Sequence, residues 1–328
     1  FNFYTIIPQG RFSMKYLFYF IILTSQAFAY SPLKQYFNSS LAHNICQESI
    51  SVRGAYSKKH LKFIKASDRE VFYFFKYPQH SKLVRVDLKN YKRSDLSLER
   101  PINDLLILNS EIVLLYDYQI LVVDRISGNL IVRMNTQPHH FPRGKNHKAS
   151  QIKYAHGNLY IAHGLNGVMV FNYRNLSFER NINPKVKQPE AFHRSSITGI
   201  ELSADRLYLS YDDVTIVRDS KAFEGLVVYD LFLNTKLREI PVNQNQEAYY
   251  MPRLQFDRGE LLVLNLDLIF RHKISDLSTD RYMRPYQRIW KYPAGNLIGR
   301  PLINNASVYG CFIDYRNNYI QSDEFYIK

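Results

Sequence analysis

Cations and hydrogen-bonding rings crowd five short stretches of the chain: Lys59 with His60, then 138–148, 192–196, 249–253 and 299–301. Brought to one place, His147, Lys148, His193, Arg194, Tyr250, Arg253 and Arg300 would line a cationic funnel rich in hydrogen-bond donors. Guanidinium and ammonium groups there suit carboxylate, phosphate or sulfate, and a focused positive field draws such ligands in. These seven residues are the candidate ligand-binding set. Spread over a solvated loop surface of a basic protein, they would share no ligand.

Acids recur in a second group of loops, at Asp117, Asp212, Asp213, Asp267 and Asp314. Of these, Asp117, Asp212, Asp267 and Asp314 gathered round an axis could hold Ca²⁺, which takes six to eight oxygens. Aspartate is equally a turn former, and the chain has no EF-hand spacing and no zinc-type His spacing. A G-x-S-x-G elbow, a P-loop and a G-x-G-x-x-G turn are also missing, so the commonest nucleophile and nucleotide signatures are absent. A His193–Asp212 acid–base pair rests on shared location alone. Cations alternate with rings over 281–292, a pattern that fits stacking on sugars and equally a half-buried outer strand.

Whether the first two groups meet depends on the elements that carry them. Four apolar stretches, 82–88, 119–125, 167–173 and 225–231, reach an acid or amide at Asp87, Asp124, Asn172 and Asp230 and pass into a tight polar turn. Each is followed by a further strand (93–99, 130–134, 176–182, 236–242) and preceded by two more (61–65 and 70–75 in the first unit). Four consecutive antiparallel strands in units of about 40–48 residues describe a β-propeller blade. Fainter copies over 253–273 and 301–327 bring the total to about six. The expected fold is therefore all-β, a propeller of about six four-stranded antiparallel blades. Radial packing covers both faces of each sheet, which a lone meander cannot do. A two-sheet sandwich with a second domain is the alternative. The last unit lacks a fourth strand, and an early strand over 44–53 would supply it.

The stretch 157–172 resembles the LVIVD-type repeat of secreted bacterial propellers, and 119–130 is similar to a quinoprotein-type blade ending. The resemblance implies a propeller over about residues 60–320. The single tryptophan, Trp290, departs from the quinoprotein blade pattern, which usually carries several.

The chain has 328 residues, 46% hydrophobic and 15% aromatic, enough for a large core and incompatible with a disordered or collagen-like chain. Its formal charge is +14. Residues 14–29 combine a lysine, a short apolar run and an Ala27-Phe28-Ala29 end, the pattern of a secretion signal cleaved before Tyr30. The run is shorter than the roughly 20 residues that span a bilayer, so no transmembrane segment is expected in the mature chain. Residues 1–13 read as an upstream extension outside the fold, 30–60 as a segment that closes the ring, and 61–328 as the propeller. Export permits a disulfide between Cys46 and Cys311, with two buried free thiols as the alternative.

Together these features predict an exported, periplasmic or extracellular, non-catalytic binding or scaffolding propeller. Its expected partner is an anionic ligand, an envelope polysaccharide or a protein, met on the loop-rich face without a cofactor. Export argues against nucleic acid. The alternative is a hydrolase or lactonase-like propeller enzyme with an axial divalent metal.

Overall fold

The computed structural model describes residues 40–48, 60–184, 195–213, 223–241, 253–257, 260–265, 268–273, 287–290, 295–304, 307–314 and 319–326. A helix, α1 (Ser40–Glu48), precedes a succession of antiparallel meanders. Blade 1 is β1 (Leu61–Ala66), β2 (Glu70–Lys76), β3 (Ser81–Asp87) and β4 (Arg93–Leu98). Blade 2 is β5 (Asp104–Ile107), β6 (Glu111–Leu115), β7 (Gln119–Asp124) and β8 (Leu130–Asn135). Blade 3 is β9 (Gln151–Ala155), β10 (Asn158–Ala162), β11 (Val168–Asn172) and β12 (Phe178–Ile182). Blade 4 is β13 (Ser195–Ser203), β14 (Arg206–Asp213), β15 (Gly225–Asp230) and β16 (Thr235–Pro241). Blade 5 is β17 (Arg253–Asp257), β18 (Glu260–Asn265), β19 (Leu268–Lys273) and β20 (Gln287–Trp290). The sixth sheet has three described strands, β21 (Gly295–Asn304), β22 (Ser307–Asp314) and β23 (Tyr319–Tyr326). The fold is a β-propeller of five to six blades.

Burial follows the radial packing. The second strand of a blade is covered on both faces, so β2 carries an unbroken apolar run, 71–75, in which every residue is buried. Outermost strands face water: β8 has only half-buried and exposed residues, and β4 has one buried residue, Leu98. Among the described residues, apolar clusters fill the four seams from blade 1 to blade 5. Phe63, Phe74, Leu105 and Leu114 join blades 1 and 2, whereas Val113, Ile120, Leu159 and Met169 join blades 2 and 3. Val170, Leu209 and Val227 join blades 3 and 4, and Val228, Leu254 and Val263 join blades 4 and 5.

The ring closes in two ways. Strand β1 pairs in parallel with β21, Phe63 opposite Arg300, so the first and sixth sheets form one seven-stranded sheet. Helix α1 then clasps the seam. The expected strand over 44–53 is not formed at its start: residues 44–48 are helical, and 49–53 lie outside the described residues. The spacing of Ala42, Ile45 and Cys46 explains the difference, because on a helix these three share a face, and all are fully buried against Leu302, Tyr309 and Cys311. Cys46 and Cys311, 265 positions apart, form a disulfide with their Cα atoms 5.5 Å apart. The signal peptide expected over 14–29 lies outside the described residues. No helix among them is long and apolar enough to cross a membrane.

Candidate functional site

The links between blades and the turns between second and third strands share one end of the wheel. Between blades 1 and 2 this end opens into a cavity of about 570 Å³, a size that suits a small organic ligand. Blade 1 supplies Lys62, Phe63, Phe74 and Lys76, and the β4–β5 link supplies Arg100, Ile102 and Asn103. The β6–β7 turn supplies Tyr116, Asp117 and Tyr118, while Lys148 and Arg253 reach in from blades 3 and 5. Five lining side chains are cationic (Lys62, Lys76, Arg100, Lys148, Arg253) and one, Asp117, is acidic.

The rings in this wall act as supports for guanidinium groups. Arg100 lies over Tyr116 at 5.6 Å from the ring centre, and Arg143 lies over Tyr118 at 5.7 Å. A guanidinium held flat on a ring keeps its N–H fork in plane and loses less freedom when it binds an oxyanion. Asp117 is engaged within the wall: it accepts from Asn103 Nδ2 at 2.8 Å and pairs with Lys148 Nζ at 2.7 Å. That pairing raises the Lys148 pKa and fixes its charge.

Beneath the cavity the innermost strands are knitted by buried charge. Asp104, at the head of β5 and 1% exposed, meets Lys65 of β1 at 3.2 Å and Arg253 of β17 at 3.2 Å. Burial alone would push its carboxyl up. Lys65, Arg253 and the backbone N–H of Ile152 outweigh that and hold it below the ordinary carboxylate range. Arg253 also donates to the carbonyl of Asn103 at 2.6 Å. Gln151 of β9 accepts from Ile200 N at 3.1 Å and donates to the carbonyl of Leu254 at 3.1 Å, tying blades 3, 4 and 5 together. The carboxylate of Glu201 receives Lys153 Nζ at 2.5 Å and Phe256 N at 3.2 Å. Side chains from five blades thus bridge the hub.

Of the seven candidate ligand residues, the described side chains are those of His147, Lys148 and Arg253. Lys148 and Arg253 line the cavity. His147 sits in a single 3-10 turn (Lys145–His147), its Nδ1 2.9 Å from Asn166 Oδ1, where it braces the loop. His193, Arg194 and Tyr250 lie outside the described residues, as does Asp267. Arg300 is placed by its backbone on β21, opposite Phe63. Among the acids, Asp117 is in the cavity wall, Asp212 is buried on β14 opposite Ser196, and Asp314 ends β22. Among the described residues no group of three or more His, Cys, Asp or Glu is placed to hold a metal. Within 281–292, residues 287–290 form the outermost strand β20.

Sequence reading missed Lys62, Lys76, Arg100, Tyr116 and Tyr118. Arg100 was the discoverable one, because it occupies the blade 1–blade 2 link, the counterpart of the loops singled out between later blades. Asp104, an acid heading an otherwise apolar strand, was a second overlooked signal.

Behind Tyr118 the loop 138–148 is anchored on His163, which is fully buried. Its Nδ1 donates to the carbonyl of His147 at 3.0 Å, so its Nε2 accepts from Thr136 Oγ1 at 2.9 Å and the ring is neutral. Burial lowers its pKa from 6.5 to about 4. The unfolded chain then takes up this proton first as pH falls. The stability contribution is complete above 6.5 and is lost on the way down to 4. Between pH 7 and pH 5 the loss is about 2 kcal/mol. Urea unfolding should show this slope in the native chain and a flatter one in His163→Gln; equal slopes would contradict the assignment.

No protein-family model matches the chain, and no curated protein matches its sequence. Its structure is similar to the β-propeller domain of Myceliophteria thermophila Cps50 (Swd1), at 13% identity over 81% of this chain and 86% of that one, with a TM-score of 0.51. A luciferin-regenerating enzyme is similar at 11% identity over 81% and 90% of the two chains, and a chain of a mitotic checkpoint complex at 9% over 81% and 74%; both have a TM-score of 0.51. The likeness is one of fold. Propellers carry unrelated activities, so the functional argument rests on the cavity.

Proposed function

We propose that the chain is an exported, non-catalytic binding propeller that takes an anionic ligand in the cavity between blades 1 and 2. The observation that carries the reading is the lining, with five cations, of which Lys148 is paired with Asp117 and Arg253 with Asp104, and with the Arg100 guanidinium already laid on a tyrosine ring. Acidic groups of envelope polysaccharide, or a carboxylate-bearing protein segment, have the matching chemistry, and the reading requires no cofactor. Export is supported by the signal-like pattern of 14–29 and by a disulfide, which persists in oxidising compartments.

The test is calorimetric titration with tetragalacturonate, a carboxylate-bearing sugar chain. Saturable binding is expected that weakens as salt rises. The double variant Lys76→Glu/Arg100→Glu should lose roughly tenfold or more in affinity, because both side chains are exposed and reverse sign at the cavity. Its melting temperature should not change. Affinity that is unchanged in this variant would exclude the cavity as the site.

A further inference from the structure

The opposite end of the wheel carries a feature that anion binding does not use. In blades 1–4 the third strand ends in Asp87, Asp124, Asn172 or Asp230. Each side-chain oxygen accepts the backbone N–H groups two and three residues on, at 2.7 and 3.3 Å, 3.0 and 2.7 Å, 3.0 and 3.3 Å, and 2.9 and 2.7 Å respectively. The N–H one residue on, from Leu88, Arg125, Tyr173 or Leu231, donates to the turn between the first two strands at 2.8 to 2.9 Å. Every tip is therefore fastened to its own blade.

Neighbouring tips are fastened to one another as well. Arg125 reaches from blade 2 to Glu70 and Ser67 of blade 1 at 2.7 and 2.9 Å. The Tyr173 hydroxyl of blade 3 donates to Glu111 of blade 2, and His156 of blade 3 bonds the carbonyl of Ala204 in blade 4 at 3.2 Å. The four tips form one rigid surface, and the residue two places beyond each Asp or Asn is, in order, Lys89, Ile126, Arg174 and Phe232. Ile126 and Phe232 are each 86% exposed, and Leu233 beside Phe232 is 61% exposed.

We propose that this face seats on an anionic lipid surface, with Ile126, Phe232 and Leu233 dipping into the interface and Lys89 and Arg174 against the headgroups. The arrangement favours lipid over a protein partner. The apolar prongs stand on separate blades with a cationic tip between them, so they make no contiguous patch of the kind a protein buries. A fluid interface accepts spaced prongs without a matching socket, and anionic headgroups complement the interleaved cations.

The test is co-sedimentation of the full chain with phosphatidylcholine vesicles, with and without phosphatidylglycerol. Binding is expected to the anionic vesicles and to weaken with salt. Because residues 14–29 include an apolar run, the decisive comparison is with Ile126→Ser/Phe232→Ser, which should partition roughly tenfold less or lower still. Lys89→Ser/Arg174→Ser should lose the preference for anionic vesicles. All four positions are exposed, so the thermal melts should coincide. Lys76→Glu/Arg100→Glu, at the far end of the wheel, should bind vesicles as the native chain does, which separates this surface from the cavity. The proposal is overturned if the native chain stays in solution with both vesicle types, or if the serine variant at Ile126 and Phe232 binds unchanged. Self-association lost in that variant, without vesicle binding, would assign the face to a second copy and also overturn it.

Discussion

Replacing Asp104 with alanine is expected to lower stability by about 3–5 kcal/mol, because it leaves the buried Arg253 and the half-buried Lys65 without their shared counter-charge. Removing the carboxylate also takes away the acceptor of the Ile152 N–H. Domains of this kind are stable by only about 5–15 kcal/mol, so the variant should melt roughly 10 °C lower and express poorly. The size of the effect reports an uncompensated charge, and a simple experiment separates that from lost packing. In the triple variant Asp104→Leu/Lys65→Met/Arg253→Met the cations go with the acid, and much of the loss should be recovered. If Asp104→Ala costs under about 1 kcal/mol, water reaches the hub and the bridge across the inner strands is not closed.

Removing the disulfide with Cys46→Ala/Cys311→Ala is expected to cost a comparable amount. The bond spans 265 positions, and chain entropy alone assigns such a loop about 5.6 kcal/mol, with measured losses for native disulfides of about 2–5 kcal/mol. Both cysteines are fully buried, so substitution is a cleaner test than added reductant. Helix α1 should detach first. Its apolar contacts are Leu41, Ala42, Ile45 and Cys46, too little for a helix of 9 residues to stand alone. Limited proteolysis should then cut within Ser40–Glu48 in the variant and spare this helix in the native chain. Identical stability and cleavage would mean that the parallel pairing of β1 with β21 closes the ring without the clasp.

The blades were legible because their signals are local. Asp87, Asp124, Asn172 and Asp230 each cap a turn through their own side chains, and such chemistry repeats with the unit that contains it. Helix α1 was not legible as a helix: its seating depends on Leu302, Tyr309 and Cys311 from the other end of the chain, and no local pattern announces that partner. The site was legible in part for the same reason. Lys148, Arg253 and Asp117 stood out as charged residues in links and turns. Lys62 and Lys76 are single cations in ordinary strands, and they become one wall with Arg100 only when blade 1 packs against blade 2. Arg253 also shows what position in a loop does not reveal, since nearness to the axis pairs it with a buried aspartate and makes it part of the hub.

The central claim, that the seam between blades 1 and 2 holds the ligand, is tested most directly by hydrogen–deuterium exchange with and without saturating tetragalacturonate. Slower exchange is expected at residues 60–63, 74, 76, 100–103, 116–119, 148 and 253, with the strands of blade 4 unchanged. Protection centred on 281–292, or spread evenly over the basic surface with none at the seam, would contradict it.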